Sequence, residues 1–297
     1  MSETPRPLLI LGSNGQVGWE LRRALAPLGP LLAVDREGRV DALADLSDIK
    51  RLRMLLERLQ PRLVVNAAAY TDVERADSEE DLAHRINAEA PKCLGRWAAE
   101  QGVPVVHYST DYVFDGTKPA PYVETDPVSP VNAYGRSKLA GDQALLDSGA
   151  PAVILRVSWI YGNRGRNFLR TMQRLLAERD EVQVVDDQVG VPTWCRPIAE
   201  ATAQVVGQLL RGQVDAAEAR GVYNLTPAGE TTWHGFAQAI CEMGGYSCQV
   251  QPVSTRDYPS KVQRPASSLL DCSKVQERFG LVLPDWRASL LDCLESA

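Results

Sequence analysis

Tyr134 and Lys138 stand four residues apart in the run Tyr134-Gly135-Arg136-Ser137-Lys138. Positions i and i+4 of a helix face the same way, so on a helix the phenol and the ammonium share one surface. A lysine cation beside a tyrosine stabilises the phenolate and lowers its pKa, which makes the phenol a proton donor and acceptor near neutrality. The same spacing arises by chance on exposed amphipathic helices. Here it follows Ser109-Thr110-Asp111, which closes an apolar run, and open α/β sheets carry their sites at such strand ends. Thr110 can hydrogen-bond a substrate oxygen and the phenol together. Asp111 can bind a sugar hydroxyl or, equally, cap a turn.

A second constellation, Gly12-Ser13-Asn14-Gly15-Gln16-Val17-Gly18, sits between a short apolar strand and an amphipathic helix. Gly12 permits a tight turn, Gly15 lets backbone approach a pyrophosphate, and Gly18 lets the helix pack close to the sheet. The helix N-terminus offers free N–H groups to the anion. Such a turn alone is common on protein surfaces; strand before and helix after make it a dinucleotide signal. Asp35 ends the second strand at about the distance expected for an acid that bonds the adenosine ribose, whereas Arg36 suits a 2′-phosphate. The pair therefore points to NADH and NADPH at once, and a merely solvated Arg36 is the bland alternative. Asp45-Leu46 falls where a loop can flank the adenine. Ala67-Ala68-Ala69, after Asn66, offers small side chains beside a dinucleotide, although plain close packing accounts for three alanines equally well.

The elements that must position these groups alternate. Leu8 to Leu11 is a strand, followed by a helix with Val17, Leu21, Leu25 and Leu28 on one face. Leu31 to Val34 is a second strand. Ser47 caps a helix that Pro61 stops, and Leu63 to Val65 is a third strand. A helix from Glu79 to Gln101 leads to the strand Val103 to Tyr108, and a helix over Tyr134 to Leu146 precedes the strand Ala152 to Val157. This order predicts right-handed crossovers and a doubly wound parallel sheet of the Rossmann type over residues 1–160. After Tyr161 the rhythm breaks. Helices at Phe168 to Leu176 and Ile198 to Leu210, strands at Val182 to Val185 and Val222 to Leu225, a helix opened by Thr232 and a loop over Gln251 to Ser268 follow. Residues 161–297 are expected to form mainly a smaller α/β substrate-binding lobe, with one helix near 195–212 returning to the sheet.

Composition bounds the partners. The 297 residues carry a net charge of −6, against the basic excess that a nucleic-acid surface needs. The Met1 to Pro7 segment lacks a leader-like apolar region, and no run approaches a membrane span. Six cysteines without a Cys-x-x-Cys pair read as reduced thiols in a cytoplasm. His84, His107 and His234 have no metal-ligand spacing.

Together these motifs carry a family resemblance. The chain resembles, end to end, the dTDP-4-dehydrorhamnose reductases of the extended short-chain dehydrogenase/reductase superfamily. The likeness rests on Gly12 to Glu20, Val65 to Ala69, His107 to Phe114, Tyr134 to Gly141, Arg156 to Tyr161 and Asp187 to Thr193. Arg264-Pro265 and Leu283 to Trp286 complete it. The Tyr-Lys pair marks only the superfamily; the segments Ser109 to Phe114 and Asp187 to Thr193 are much narrower. The resemblance implies that Tyr134 is the catalytic acid, tuned by Lys138 and Thr110. It implies a cofactor site of Gly12, Asn14, Gly15, Gln16, Val17, Asp35, Arg36, Asp45, Leu46 and Ala67 to Ala69, with Tyr134 and Lys138. The sugar-nucleotide substrate would meet Thr110, Asp111 and Trp159, with Asn167 and Arg264 at its nucleotide end. The expected cofactor is NADPH, with NADH also accepted. Some family members are magnesium-assisted homodimers with acidic residues at the contact. Glu20 and Glu295 match such positions, but Arg196 stands where another carboxylate belongs, so no metal is expected.

Two other classes share much of this pattern. A sugar-nucleotide dehydratase or epimerase would keep the fold, the glycine turn and the Tyr-Lys pair. Dehydratases commonly carry a Glu after the Thr-Asp, where this chain has Tyr112. A non-catalytic dinucleotide-binding subunit, like the regulatory subunit of methionine adenosyltransferase, also looks similar. Thr110, Tyr134 and Lys138 together favour an enzyme.

Overall fold

A computed structural model describes residues 6–37, 40–260 and 262–296; Met1 to Pro5, part of the segment read above for a leader, lie outside them. The first half alternates as expected: β1 (Leu8–Leu11), α1 (Gln16–Leu25), β2 (Leu31–Asp35), β3 (Ala42–Leu43), α2 (Ile49–Leu59) and β4 (Leu63–Asn66). Then come α3 (Val73–Ala76), α4 (Glu80–His84), α5 (Ala90–Gln101), β5 (Val105–Thr110), α6 (Ala133–Asp147) and β6 (Ala152–Val157). The remainder holds β7 (Ile160–Tyr161), α7 (Phe168–Glu178), β8 (Glu181–Val185), β9 (Val189–Gly190), β10 (Thr193–Trp194) and α8 (Cys195–Leu210). It ends with β11 (Gly221–Asn224), β12 (Thr231–Thr232), α9 (Trp233–Met243), β13 (Gln249–Val253), α10 (Ser273–Phe279) and α11 (Trp286–Glu295).

Seven strands form one parallel sheet in the order β3-β2-β1-β4-β5-β6-β11. Its central strands β1, β4 and β5 are buried along their whole length because side chains alternate between two covered faces. Leu8 and Ile10 pack with Leu21 and Leu25 of α1 and with Ile198 and Val205 of α8. Leu9 and Leu11 pack with Leu52 and Leu56 of α2 and with Leu94 and Trp97 of α5. The strand order reverses between β1 and β4, and the crevice above that switch point is where doubly wound sheets bind ligands. Gly12 to Gly15 and Ala67 to Ala69 lie at its two lips.

Three elements depart from the sequence expectation. The strand expected over Val103 to Tyr108 runs over Val105–Thr110, so Ser109 and Thr110 pair within the sheet, opposite Arg156 and Val157. Gly102 caps α5 with a left-handed turn, and Val103 N–H returns to Ala98 O, leaving the strand to start after Pro104. The long helix expected from Glu79 to Gln101 is interrupted by a wide π turn at Arg85–Glu89. Pro91 lacks the N–H that would bond Asn87 O, and the Asn87 side chain instead exchanges two bonds with the Tyr70 backbone, at 2.8 and 3.0 Å. The strand expected in the lobe at Val222 to Leu225 is β11, at the edge of the main sheet beside β6. Helix α8 packs on α1, as the returning helix was expected to, and a right-handed crossover through it brings the following strand into the sheet. Two-stranded pairs β7/β10, β9/β12 and β8/β13, with α7, α9 and α11, make up the rest. No helix among the described residues is long and apolar enough to cross a membrane.

Candidate active site

The glycine turn is shaped by contacts that only glycine allows. Gly12 adopts φ +79°, and a Cβ there would lie 2.5 Å from Ala68 N. At Gly18 a Cβ would meet Gly12 O at 2.0 Å, so α1 can sit directly on the turn. No side chain caps α1, whose N-terminal N–H groups face the crevice uncompensated. Asp35 secures the turn from the side: its Oδ2 accepts from Asn14 N–H at 2.9 Å and its Oδ1 from Arg36 N–H at 2.8 Å. Arg36 has its side chain 67% exposed, with Glu37 at 3.8 Å as its ion-pair neighbour. Asp45 is held below the usual carboxylate range, chiefly by the Ser47 N–H it accepts. Leu46 is buried, and Ala67 N–H bonds Leu11 O. These features suit a dinucleotide: a close backbone approach, an uncapped helix start for the pyrophosphate, and carboxylate and guanidinium at the ribose end.

Tyr134 lies in the first turn of α6, which Asn132 caps by accepting from Gly135 N–H at 2.9 Å. Gly135 lets this turn sit on the loop after β5, since a Cβ would meet Tyr112 O at 2.2 Å. The loop begins with Thr110, whose hydroxyl accepts from Tyr112 N–H at 3.2 Å and donates to Asp111 Oδ1 at 2.9 Å. Tyr112 packs edge-on against Tyr134, ring centroids 5.8 Å apart. Burial raises the Tyr134 pKa above that of a free phenol; the Thr110 hydroxyl opposes the rise, and Asp111 and Tyr112 add to it. Asp111 is buried, which pushes its carboxyl up to about 7 against the bond from Thr110 and the nearby Ser268 hydroxyl, and its Oδ2 has no partner. Phenol, hydroxyl and carboxyl thus form one contiguous acidic group.

Lys138 shares the helix face with Tyr134 but goes elsewhere. Its Nζ donates to Tyr108 O at 2.6 Å and lies 3.3 Å from His107 Nε2, at the end of β5. Burial lowers it to about 8, opposed by Asp142. In this structure Lys138 Nζ bonds the β5 backbone rather than the Tyr134 hydroxyl.

Trp159, read as a substrate contact, holds a left-handed backbone, φ +42°, with its ring stacked on Trp233 at 3.6 Å. Gly190 makes room for that ring, as a Cβ there would lie 2.5 Å from it. Arg264 Nη2 donates to Glu74 Oε1 at 3.2 Å, and its guanidinium lies near the Tyr112 phenol. Asn167, read as a contact for the substrate's nucleotide end, donates to Gln16 Oε1 of the glycine turn at 2.8 Å. The segment 263–268 forms a strap. Gln263 O accepts from Asn132 Nδ2 at 3.0 Å, Ser267 N–H bonds Gly116 O, and Ser268 reaches Asp111. Sequence reading missed Tyr112 as a packing partner, Trp233 and Ser268. Only Trp233 left a signal, as the aromatic residue directly after Thr232.

Glu20 accepts from Arg196 Nε at 3.2 Å. Among the described residues no cluster of three His, Cys, Asp or Glu side chains is placed to hold a metal.

Known proteins resemble this chain along almost its whole length. A family model described as the RmlD substrate binding domain matches residues 6–297. A dTDP-4-dehydrorhamnose reductase of Burkholderia thailandensis is 45% identical over 97% of both chains. One from Escherichia coli K12 is 40% identical over 95% of both. The crystal structure of a dTDP-4-dehydrorhamnose reductase from Bacillus anthracis in complex with NADP superposes with a TM-score of 0.89, at 31% identity, covering 99% of this chain and 100% of that one.

Proposed function

The chain belongs to the dTDP-4-dehydrorhamnose reductase family, and from that premise we propose that it reduces the 4-keto group of dTDP-4-dehydro-L-rhamnose to give dTDP-L-rhamnose, with NADPH as reductant. The observation that carries the reading is the contiguous group of Tyr134, Thr110 and Asp111 beside the uncapped glycine turn. NADPH, held by the glycine turn, the Asp35–Arg36 end of β2 and Ala67 to Ala69, supplies hydride when bound. The chain's own task is to manage the oxygen that becomes negative. Tyr134 delivers a proton to it, and the Thr110 hydroxyl holds it in place. A buried, raised phenol keeps its proton until such an oxygen arrives. Asp111 and Trp159 line the sugar, and Arg264 stands toward its nucleotide. The six free thiols fit work in a reducing cytoplasm. Tyr112 brings no carboxylate where a dehydratase carries one.

The direct experiment mixes the purified chain with NADPH and dTDP-4-dehydro-L-rhamnose and follows loss of NADPH absorbance. Stoichiometric oxidation with formation of dTDP-L-rhamnose is expected. Tightly retained NAD⁺ and turnover without external reductant would instead mark an epimerase or dehydratase.

Both Asp35 oxygens are engaged by backbone, while the Arg36 guanidinium is exposed and free to meet a 2′-phosphate. A charged contact of that kind is worth ~1.5–3 kcal/mol. Arg36→Ala should therefore lower kcat/KM for NADPH at least ~10-fold with little change for NADH. An unchanged ratio of the two specificity constants would remove Arg36 from the role.

A further inference from the structure

Trp159 carries a backbone conformation that bulky residues avoid. Its φ of +42° lies in the left-handed region, an outlier for a tryptophan. Such strain persists only where the surroundings over-determine it, and it gathers at binding and catalytic sites. The backbone here is pinned from three sides. Ser158 Oγ donates to Val191 O at 2.9 Å, Thr193 N–H donates to Trp159 O at 3.1 Å, and the pairing of β7 with β10 begins at the next residue. None of these restraints touches the indole. The ring is held separately by Trp233, which lies parallel to it, with 3.6 Å between centroids and 8° between planes.

Strand β9 dictates where Trp233 stands. β12 pairs antiparallel with it, Thr231 opposite Gly190 and Thr232 opposite Val189. Thr232 then caps α9 by accepting from Gly235 N–H at 3.0 Å, and its hydroxyl donates to Asp186 Oδ1 at 2.6 Å. Trp233 is thus the first residue of a capped helix tied to the segment 186–190. Phe168 of α7 packs on it, with centroids 4.7 Å apart. The same β9 supplies Gly190, whose missing side chain receives the edge of the Trp159 ring. A Cβ there would lie 2.5 Å from Trp159 Cε2 and 2.7 Å from Ser268 Oγ, so indole and hydroxyl flank one glycine. Ser268 in turn stands beside the buried carboxyl of Asp111. Trp159 is therefore one side chain away from the group formed by Tyr134, Thr110 and Asp111. It stays partly exposed, and Trp233 is its one aromatic neighbour among the described residues.

We propose that Trp233 is a positioning residue for substrate recognition. It holds the strained Trp159 so that the opposite indole face, beside Ser268 and Asp111, forms a platform for the apolar C–H face of the sugar, and Gly190 keeps the space that the ring needs. The sugar in this statement rests on the proposed reductase reading; the hold of Trp233 on Trp159 does not.

A double-mutant cycle read on kcat/KM for the dTDP-sugar tests it, with NADPH affinity measured separately by fluorescence titration. Trp233→Leu keeps apolar bulk beside Phe168 but removes the flat face. It should raise KM for the sugar about 3–10-fold, with NADPH affinity retained. Trp233→Phe, which can still stack, should stay close to wild type. In a Trp159→Ala background, Trp233→Leu should cost nothing further, because its effect passes through Trp159. Additive losses, which a merely structural role would give, overturn the proposal. If Trp233→Leu fails to fold, Gly190→Ala decides from the ring's other side. Its loss of kcat/KM should largely vanish once Trp159 is alanine, and a loss that persists undiminished is equally fatal. An arm without substrate uses ¹⁹F NMR of protein labelled with 5-fluorotryptophan, which gives six signals, Trp159→Phe assigning the relevant one. That signal should be one sharp line in wild type and should broaden or split in Trp233→Leu as the ring samples other positions. A line that stays single and sharp in the folded variant refutes the hold. A wild type that leaves NADPH unoxidised with the dTDP-sugar, while the line still broadens in Trp233→Leu, upholds the hold and sinks the reductase reading.

Discussion

Tyr134→Phe should lower kcat by ~10²–10⁴-fold, the loss expected when a positioned general acid is removed, while fold and NADPH affinity persist. The ring remains, and with it the edge-on packing against Tyr112. What disappears is the hydroxyl whose proton must reach the substrate oxygen. Phe has no donor to offer, and an aliphatic hydroxyl such as that of Thr110 can hold the substrate oxygen by a hydrogen bond but is too weak an acid to give its proton up to it. The informative measurement is single-turnover NADPH oxidation at saturating cofactor, with fluorescence titration reporting NADPH binding separately. A folded variant that reacts within a few-fold of wild type would sink the assignment and favour a non-catalytic, dinucleotide-binding protein.

Gly12→Ala should abolish function by a different route. The residue holds φ +79°, a region that costs an L-residue ~1–3 kcal/mol. The new Cβ would also lie 2.5–2.8 Å from backbone atoms of Ala67 and Ala68, which belong to the facing lip of the crevice and cannot rotate away. Overpacking against rigid neighbours costs ~1–3 kcal/mol more. Relief can come only by opening the crevice where the dinucleotide lies. Thermal denaturation should fall by the equivalent of ~3 kcal/mol, and NADPH affinity should weaken by ~10²-fold. Wild-type affinity in a stable Gly12→Ala protein would mean that the turn is not the pyrophosphate site.

The glycine turn was legible because its sequence setting is local, although the contacts that demand glycine at Gly12 come from Ala67 and Ala68 on the facing lip. A turn between an apolar strand and an amphipathic helix announces itself within ten residues, and so does the alternation that builds the sheet. The i,i+4 spacing of Tyr134 and Lys138 was equally local, and it correctly placed both on one face of α6. It could not say where the lysine ends. That depends on His107 and on the Tyr108 carbonyl, roughly thirty residues away, and on a carboxylate–guanidinium pair that the sequence leaves unmarked. The partner of Asn167 was out of reach for the same reason: Gln16 is 151 residues distant. The stacking of Trp159 on Trp233 and the reach of Ser268 to Asp111 are likewise products of the folded chain. β11 went to the lobe in the sequence reading because its segment follows the break in rhythm. Only the pairing of Gly221 to Asn224 with Val153 to Arg156 shows that the chain came back.

The strap at 263–268 bears on how such a protein can be recombined. A chimaera joining the dinucleotide half of one reductase to the substrate half of another invites a crossover near residue 160, between β6 and β7. That seam would give Asn132 and Gln263 different parents, yet their contact tolerates this, because Gln263 contributes a main-chain carbonyl that any residue possesses. Arg264 is less forgiving. Its guanidinium meets the Glu74 carboxylate and the Tyr112 phenol, both upstream of the seam, so these three side chains must be inherited as a set. A hybrid carrying Arg264 opposite a parent without Glu74 would leave a half-buried cation without its carboxylate, close to the tyrosine that packs on Tyr134.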